Sequence, residues 1–278
     1  MSSIFLTMKS PSVDNVFFVT SRGYAADHWY SWFVKALNCH SEILAYLANE
    51  GSRPKYFAER SRAERPDVVT YARFLSDVGM TYQGIGDCYS YRANKMEPII
   101  RQFGDDIRII NINRHPFVWL KFYVTWRTNN MRMLNGENGP IDHEWNISNH
   151  ELFESLGLKS YDRSDIETWA TYQGMFHLNK IAEDIYSDIK QYLMEDIVSD
   201  RVIFNEVVSY LTHDRCKFSD NQLDDIYAMA WVPFKGEDKL RIVPGEEYCN
   251  WESWKIDAYE KIVTSETRSA FQSLGYEL

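Results

Sequence analysis

Residues 16–37 constrain the fold of this chain more than any other stretch. Val16-Phe17-Phe18-Val19 is an unbroken apolar run, the pattern of a strand buried on both faces. Thr20-Ser21-Arg22-Gly23 follows as a turn, and Trp29, Trp32, Phe33, Ala36 and Leu37 then recur at helical spacing. A strand that feeds a helix through a short turn aims backbone N–H groups and a helix N-terminus at one place, which makes an anion site. A second apolar strand, 107–112, runs into Asn113-Arg114-His115-Pro116 and sets an arginine at its carboxyl end. Two phosphate-seeking elements on one sheet edge point to a nucleotide with more than one phosphate. The structural alternatives are an ordinary strand-to-helix turn and an arginine that closes a strand end by ion pairing.

Along the rest of the chain, strand and helix patterns alternate. Helices are expected over 28–39, 42–50, 67–78, 92–103, from Pro116 onward, 164–196, 220–230 and 254–273. Strands are expected at 84–88 and at Val202-Ile203-Phe204, with loops over 51–66, 134–150 and 231–253. Gly79 and Gly104 stand where helices end, and Pro116 stands at the favoured first position of one. This alternation implies an α/β fold: a three-layer sandwich with helices on both faces of a mostly parallel central sheet, its ligand outside the carboxyl ends of the strands. No linker composition interrupts residues 1–278, so one domain is expected.

Composition narrows the function classes. A formal net charge of -10 argues against a nucleic-acid binder, though not against one anion in a local basic pocket. Basic residues concentrate in two places, Arg53, Lys55, Arg60, Arg62 and Arg65, then Arg108, Arg114, Lys121, Arg127 and Arg132. Either group also reads as a solvated charged face. The four cysteines form no CxxC pair and no zinc spacing, and His143 and His150, with Asp142 and Glu144, fit no metal-ligand pattern. No apolar run approaches a membrane span, and the first residues lack the layout of a signal peptide, so no membrane partner and a reduced, cytoplasmic setting are expected. The surplus of aromatic residues suits a flat apolar or sugar-like ligand as well as a ring-rich core.

Four islands, in order, carry a family resemblance: the 16–37 unit; Asn113-Arg114-His115-Pro116 about 90 residues on; Val202 to Glu206, ending in Asn-Glu; and the closing Leu274-Gly275-Tyr276. The arrangement resembles the sulfotransferases that use 3′-phosphoadenosine 5′-phosphosulfate, whose fold is P-loop-NTPase-like. A P-loop kinase is disfavoured because no Gly-Lys-Ser/Thr follows the first strand. The resemblance implies transfer of a sulfuryl group to a hydroxyl or amine of a small-molecule or carbohydrate acceptor, with no metal. A non-catalytic descendant that only binds nucleotide or another ligand is the alternative.

The resemblance assigns the 5′-phosphosulfate to Ser21, Arg22, Gly23, Tyr24, Ala25, Ala26, Asp27, His28 and Trp29, with Arg22 as the cation. The loop departs from the family pattern: Arg22 and Trp29 stand two residues further apart than usual, and Ala26-Asp27-His28 replaces Gly-Thr-Thr. Asp27 suits a helix cap better than an anion contact, and His28 is a potential sulfonate donor. Arg114 falls at the family's 3′-phosphate arginine. The serine expected eight residues later is Phe122, which leaves Lys121 and Arg127, ahead of Thr125, as substitutes. Asp87, in the strand before the arginine unit, falls where the family carries its base, with His28 second and His115 third; a turn-forming role for Asp87 is equally open. Lys235, Arg241, Trp251 and Lys255 fall where some relatives cover the nucleotide.

Overall fold

The computed structural model describes residues 13–21, 27–47, 67–135, 142–185, 188–229, 248 and 250–276, with the backbone alone described at 27–30, 133–135 and 142–143. The chain is α/β. Its central sheet has the order β2-β3-β1-β4-β5, built from β1 (Val16–Thr20), β2 (Ile43–Leu47), β3 (Gly84–Cys88), β4 (Arg108–Asn113) and β5 (Lys190–Leu193). The β1–β3, β1–β4 and β2–β3 pairings are parallel, with Phe17 opposite Gly86, Thr20 opposite Asn111 and Ile43 opposite Gly84. The chain steps from β1 out to β2, returns to β3, then crosses β1 to reach β4. Strand order therefore reverses at β1, the place where open parallel sheets bind ligands at their carboxyl edge.

The molecule forms two compact units, each drawn from separated stretches: the described residues of Met1–Ser21, Trp29–Asn111 and Asp196–Trp231, and those of Arg22–His28, Ile112–Glu195 and Val232–Leu278. In the first unit, helix α1 (Asp27–Leu37) follows β1, and α2 (Val68–Val78) precedes β3. Helix α3 (Glu97–Phe103) ends at Gly104, whose φ of 56° is the left-handed conformation that glycine adopts without strain. Phe17 and Phe18 of β1, Leu75 of α2, Phe33 of α1 and Ile85 of β3 form its core with Phe204, Val207 and Val208. Gly86 is required here: a Cβ at that position would stand 2.2 Å from the Phe17 ring on the paired strand.

In the second unit, α4 (Pro116–Asn135) packs along α7 (Ile166–Ile185), the two flanked by α5 (Asp142–Asn146), α6 (His150–Ser155), α11 (Ser253–Ile262) and α12 (Ser265–Ser273). Gly174 lets α7 approach closely, since a Cβ there would meet Leu120 Cδ1 at 2.5 Å and Tyr123 Cδ1 at 2.8 Å. No helix among the described residues is long and apolar enough to cross a membrane.

The sequence misplaces three stretches, one being the loop expected over 134–150, which holds α5 and the first residue of α6. The helix expected over 42–50 is strand β2, whose burial alternates along Ile43, Ala45 and Leu47 against the less buried Leu44 and Tyr46. Its Leu and Ala residues favour helix locally, but pairing with β3 overrides propensity. The strand expected at Val202-Ile203-Phe204 is the first turn of α9 (Arg201–Leu211). Asp200 caps it, accepting from the backbone of Val202 at 2.7 Å and Ile203 at 3.4 Å, and Phe204, Val207, Val208 and Leu211 bury one helical face. The Asn-Glu island is therefore helical and does not end a strand. Two smaller corrections concern long helices. The 164–196 segment divides into α7, β5 and the start of α8 (Met194–Ser199), and 254–273 breaks at Thr264, whose hydroxyl accepts from Thr267 N and starts α12. Helix α10 (Asp220–Ala228) follows the expected 220–230.

Candidate functional site

The segment that the sequence reads as a phosphate loop follows the end of β1. Thr20 is fully buried, and its hydroxyl donates to Ile110 O and reaches Asn111 Oδ1, each at 3.0 Å, which ties the end of β1 to the paired strand β4. Ser21 is half-buried at the mouth of the loop. Arg22, Gly23, Tyr24, Ala25 and Ala26 lie outside the described residues, so the structure does not address the Arg22 assignment. Asp27, His28 and Trp29 form the first turn of α1.

Asp87 occupies β3, level with Phe18 of β1. It is 1% exposed, and both carboxylate oxygens accept hydrogen bonds: Oδ2 from the Tyr71 hydroxyl at 2.8 Å and Oδ1 from Ser90 N at 3.1 Å. The Ser90 bond closes a turn after the strand, the structural role that the sequence left open. Donors to a carboxylate favour its charged form. The neighbouring Cys88 thiol is held well above its ordinary range, by burial first and the Asp87 charge second. Tyr89, next along, has φ at 78°, a sparsely populated conformation for a bulky residue.

At the end of β4 the chain delivers Arg114 and His115, both buried. The Arg114 guanidinium lies 3.9 Å above the centre of the Phe122 ring. Phe122, where the resemblance expected a serine, thus offers the Arg114 guanidinium a ring face. His115 N donates to Glu195 Oε1 at 3.0 Å, and the Tyr276 hydroxyl donates to Glu195 Oε2 at 2.9 Å. The His115 ring accepts from Phe117 N at 3.2 Å through Nδ1 and meets the Tyr276 ring edge-on at 5.0 Å. One carboxylate thus bridges the backbone beside Arg114 to the C-terminal Leu-Gly-Tyr. Asn113 is fixed in turn by Gln191 of β5, at 2.8 Å.

The two substitute cations differ. Arg127 is ion-paired with Glu144 and packs over the rings of Trp169 and Trp126, so its charge is matched within its own unit. Lys121 is half-buried on α4. Neither His150 nor Glu144 joins a metal cluster: Glu144 is committed to Arg127, and His150 is held between Trp145 O at 3.1 Å and the Tyr161 hydroxyl at 2.8 Å. Trp251 packs against Phe117 and under Lys255, while Lys235 and Arg241 lie outside the described residues. Sequence reasoning singled out Arg114 and Asp87 but not Tyr71, which bonds Asp87, nor Gln191 and Glu195, which bond the residues on either side of Arg114. Only the Tyr276 island signalled the clamp beside Arg114.

No protein-family model matches the chain, and no curated protein does. Among solved structures it is similar to a sulfotransferase from Alicyclobacillus acidocaldarius, at 12% identity and a TM-score of 0.38, covering 76% of this chain and 89% of that one. It is also similar to the sulfotransferase domain of the Synechococcus PCC 7002 olefin synthase, at 11% identity and a TM-score of 0.37, covering 95% of this chain and 94% of that one. Values this low leave activity to be read from the chain's own residues.

Proposed function

We propose that this protein is a sulfotransferase that moves a sulfuryl group from 3′-phosphoadenosine 5′-phosphosulfate to a hydroxyl or amine of a small-molecule or carbohydrate acceptor, in a reducing cytoplasmic setting. The observation that carries the reading is the pairing of β1 with β4. The strands are parallel neighbours, with Thr20 bonded to Ile110 and Asn111, so the segments that follow Thr20 and Asn113 leave the same sheet edge. That arrangement suits a ligand with two separated phosphate groups. In this reading the backbone N–H groups of residues 21–29 and Arg22 hold the transferring group, and Arg114, steadied by Phe122, holds the 3′-phosphate. The acceptor loses its proton to a base as the new S–O or S–N bond forms, and the sulfur–oxygen bond to the 5′-phosphate breaks with 3′-phosphoadenosine 5′-phosphate leaving. The burial and existing bonds of Asp87 weigh toward a structural part, which moves His28, in the first turn of α1, ahead of it as the base.

Calorimetric titration with 3′-phosphoadenosine 5′-phosphate tests the reading. The wild-type chain is expected to bind it. Arg114→Met is expected to weaken binding by about tenfold to a hundredfold, the worth of a hydrogen-bonded charge, while leaving affinity for adenosine 5′-phosphate unchanged. Absence of wild-type binding, or equal loss for both nucleotides, overturns it. The bonds already made by Asp87 favour a second reading, a nucleotide binder without turnover; tight binding with no sulfuryl transfer to any acceptor would select it.

A further inference from the structure

A second cluster of chemistry lies in the first unit, at the amino end of β2. His40 closes the turn after α1, Glu42 stands directly before β2, and Cys216 lies between α9 and α10. One donor atom from each lies within 4.8 Å of the others. We propose that His40, Glu42 and Cys216 form a binding site for a divalent transition-metal cation, zinc foremost, with water completing its shell. None of the three residues belongs to the sulfuryl-transfer reading.

The donor set selects the metal. One imidazole nitrogen, one carboxylate oxygen and one thiolate sulfur suit zinc and its neighbours, whereas calcium and magnesium require oxygen throughout. Metal–ligand bonds of about 2.0–2.3 Å place tetrahedral donors roughly 3.3–3.8 Å apart, so closing the site takes about an ångström. Glu42 is exposed and His40 half-buried, so side-chain rotation of these two can supply that movement. The main chain beneath all three ligands is fixed. His40 N donates to Leu37 O and its carbonyl accepts from Ile43 N, each at 3.1 Å. Glu42 O accepts from Gln83 N at 2.9 Å and Gly84 N at 3.2 Å, and Cys216 N donates to Thr212 Oγ1 at 3.1 Å. The His40 ring also packs edge-on against Phe218, with centroids 5.3 Å apart.

The Glu42 carboxylate and the Cys216 sulfur lie within 4.8 Å of each other, a pair of donors that a cation can bridge. Arg215, next to Cys216 in the chain, is paired with Asp14. A cation seated between thiolate and carboxylate turns their repulsion into shared attraction; the thiol proton passes to solvent as the metal–sulfur bond forms. The competing contact, Glu42 N to His40 Nδ1 at 3.3 Å, is long for an amide hydrogen bond and easily given up.

Titration of the reduced protein with cobalt(II) tests the proposal, because cobalt bound to thiolate shows a near-ultraviolet charge-transfer absorption that nitrogen and oxygen ligands alone do not give. One equivalent is expected to produce the band, and zinc to abolish it. Cys216→Ser is expected to remove it. Because Cys216 is buried, Glu42→Gln and His40→Gln serve as exposed and half-exposed counterparts; each is expected to weaken zinc binding by more than about tenfold, beyond the least cost of losing even an outer partner. Cys39→Ser, at an exposed thiol outside the cluster, is expected to leave the band intact. Absence of the band in the wild type, its loss in Cys39→Ser, or zinc affinity untouched by both Glu42→Gln and His40→Gln overturns the proposal.

Discussion

Replacing Tyr276 by phenylalanine isolates the contribution of the Glu195 clamp. The substitution removes one hydroxyl and keeps the ring, which still meets His115 at 5.0 Å and Phe271 at 6.3 Å between centroids. Lost is the 2.9 Å bond to Glu195 Oε2, while Oε1 keeps its bond to His115 N. A hydrogen bond to an ionised group contributes about 1.5–3 kcal/mol. Glu195 is only half-buried, so water replaces part of that bond and the expected loss falls to about 1–2 kcal/mol. Equilibrium urea unfolding followed by tryptophan fluorescence measures it as a lower midpoint with an unchanged slope. Because Glu195 holds the backbone one residue after Arg114, the same variant is also expected to lose affinity for 3′-phosphoadenosine 5′-phosphate while keeping that for adenosine 5′-phosphate. A destabilisation below about 0.5 kcal/mol, the ordinary range for an uninvolved surface site, would refute the clamp.

Gly86→Ala drives a methyl group into the Phe17 ring at 2.2 Å. Overpacking of about 1–3 kcal/mol exceeds the roughly 0.4–1 kcal/mol gained from the stiffer unfolded chain, so net destabilisation is expected, and Phe17→Leu should recover part of it in a double-mutant cycle of urea unfolding. Asp67 caps α2 by accepting from Thr70 N and the Thr70 hydroxyl, each at 3.0 Å, and these bonds hold its carboxyl below the usual 3.8. Asp67→Ala is expected to cost about 0.5–1 kcal/mol at neutral pH. A lowered folded value means that this stabilisation is fully present above pH about 4 and lost as pH falls from there through the lower folded value. Wild type and variant should therefore converge in unfolding midpoint at strongly acidic pH, and a gap that persists there would count against the cap.

Much of the sheet was legible because its strands carry one-dimensional signals. The apolar runs of β1 and β4, the Gly79 and Gly104 stops and Pro116 at the head of α4 each act through neighbours in sequence. The failures at 42–47 and 202–204 have the opposite cause. A five-residue apolar run fits strand and helix alike, and the deciding terms, pairing with β3 for one and the Asp200 cap with burial of Phe204, Val207, Val208 and Leu211 for the other, lie in tertiary packing or in a residue not weighed. The site divides the same way. Arg114 announces itself through its proline-bearing neighbourhood, but Glu195 reaches His115 across 80 residues and Tyr276 lies a further 81 away, so no local pattern joins them. In sequence Phe122 reads only as a missing serine; that its ring lies beneath the Arg114 guanidinium is set by packing between the strand end and α4.

The threading of the chain through its two compact units also governs how it is made. The first unit is not complete until α9 and α10 emerge, after nearly all of α4 and α7 have been synthesised. During translation the ribosome therefore releases Trp32 and Phe33 of α1 well before Phe204 arrives to pack against them. Nascent chains halted before residue 201 should expose apolar surface to chaperones, and no contiguous fragment should reproduce either half by itself.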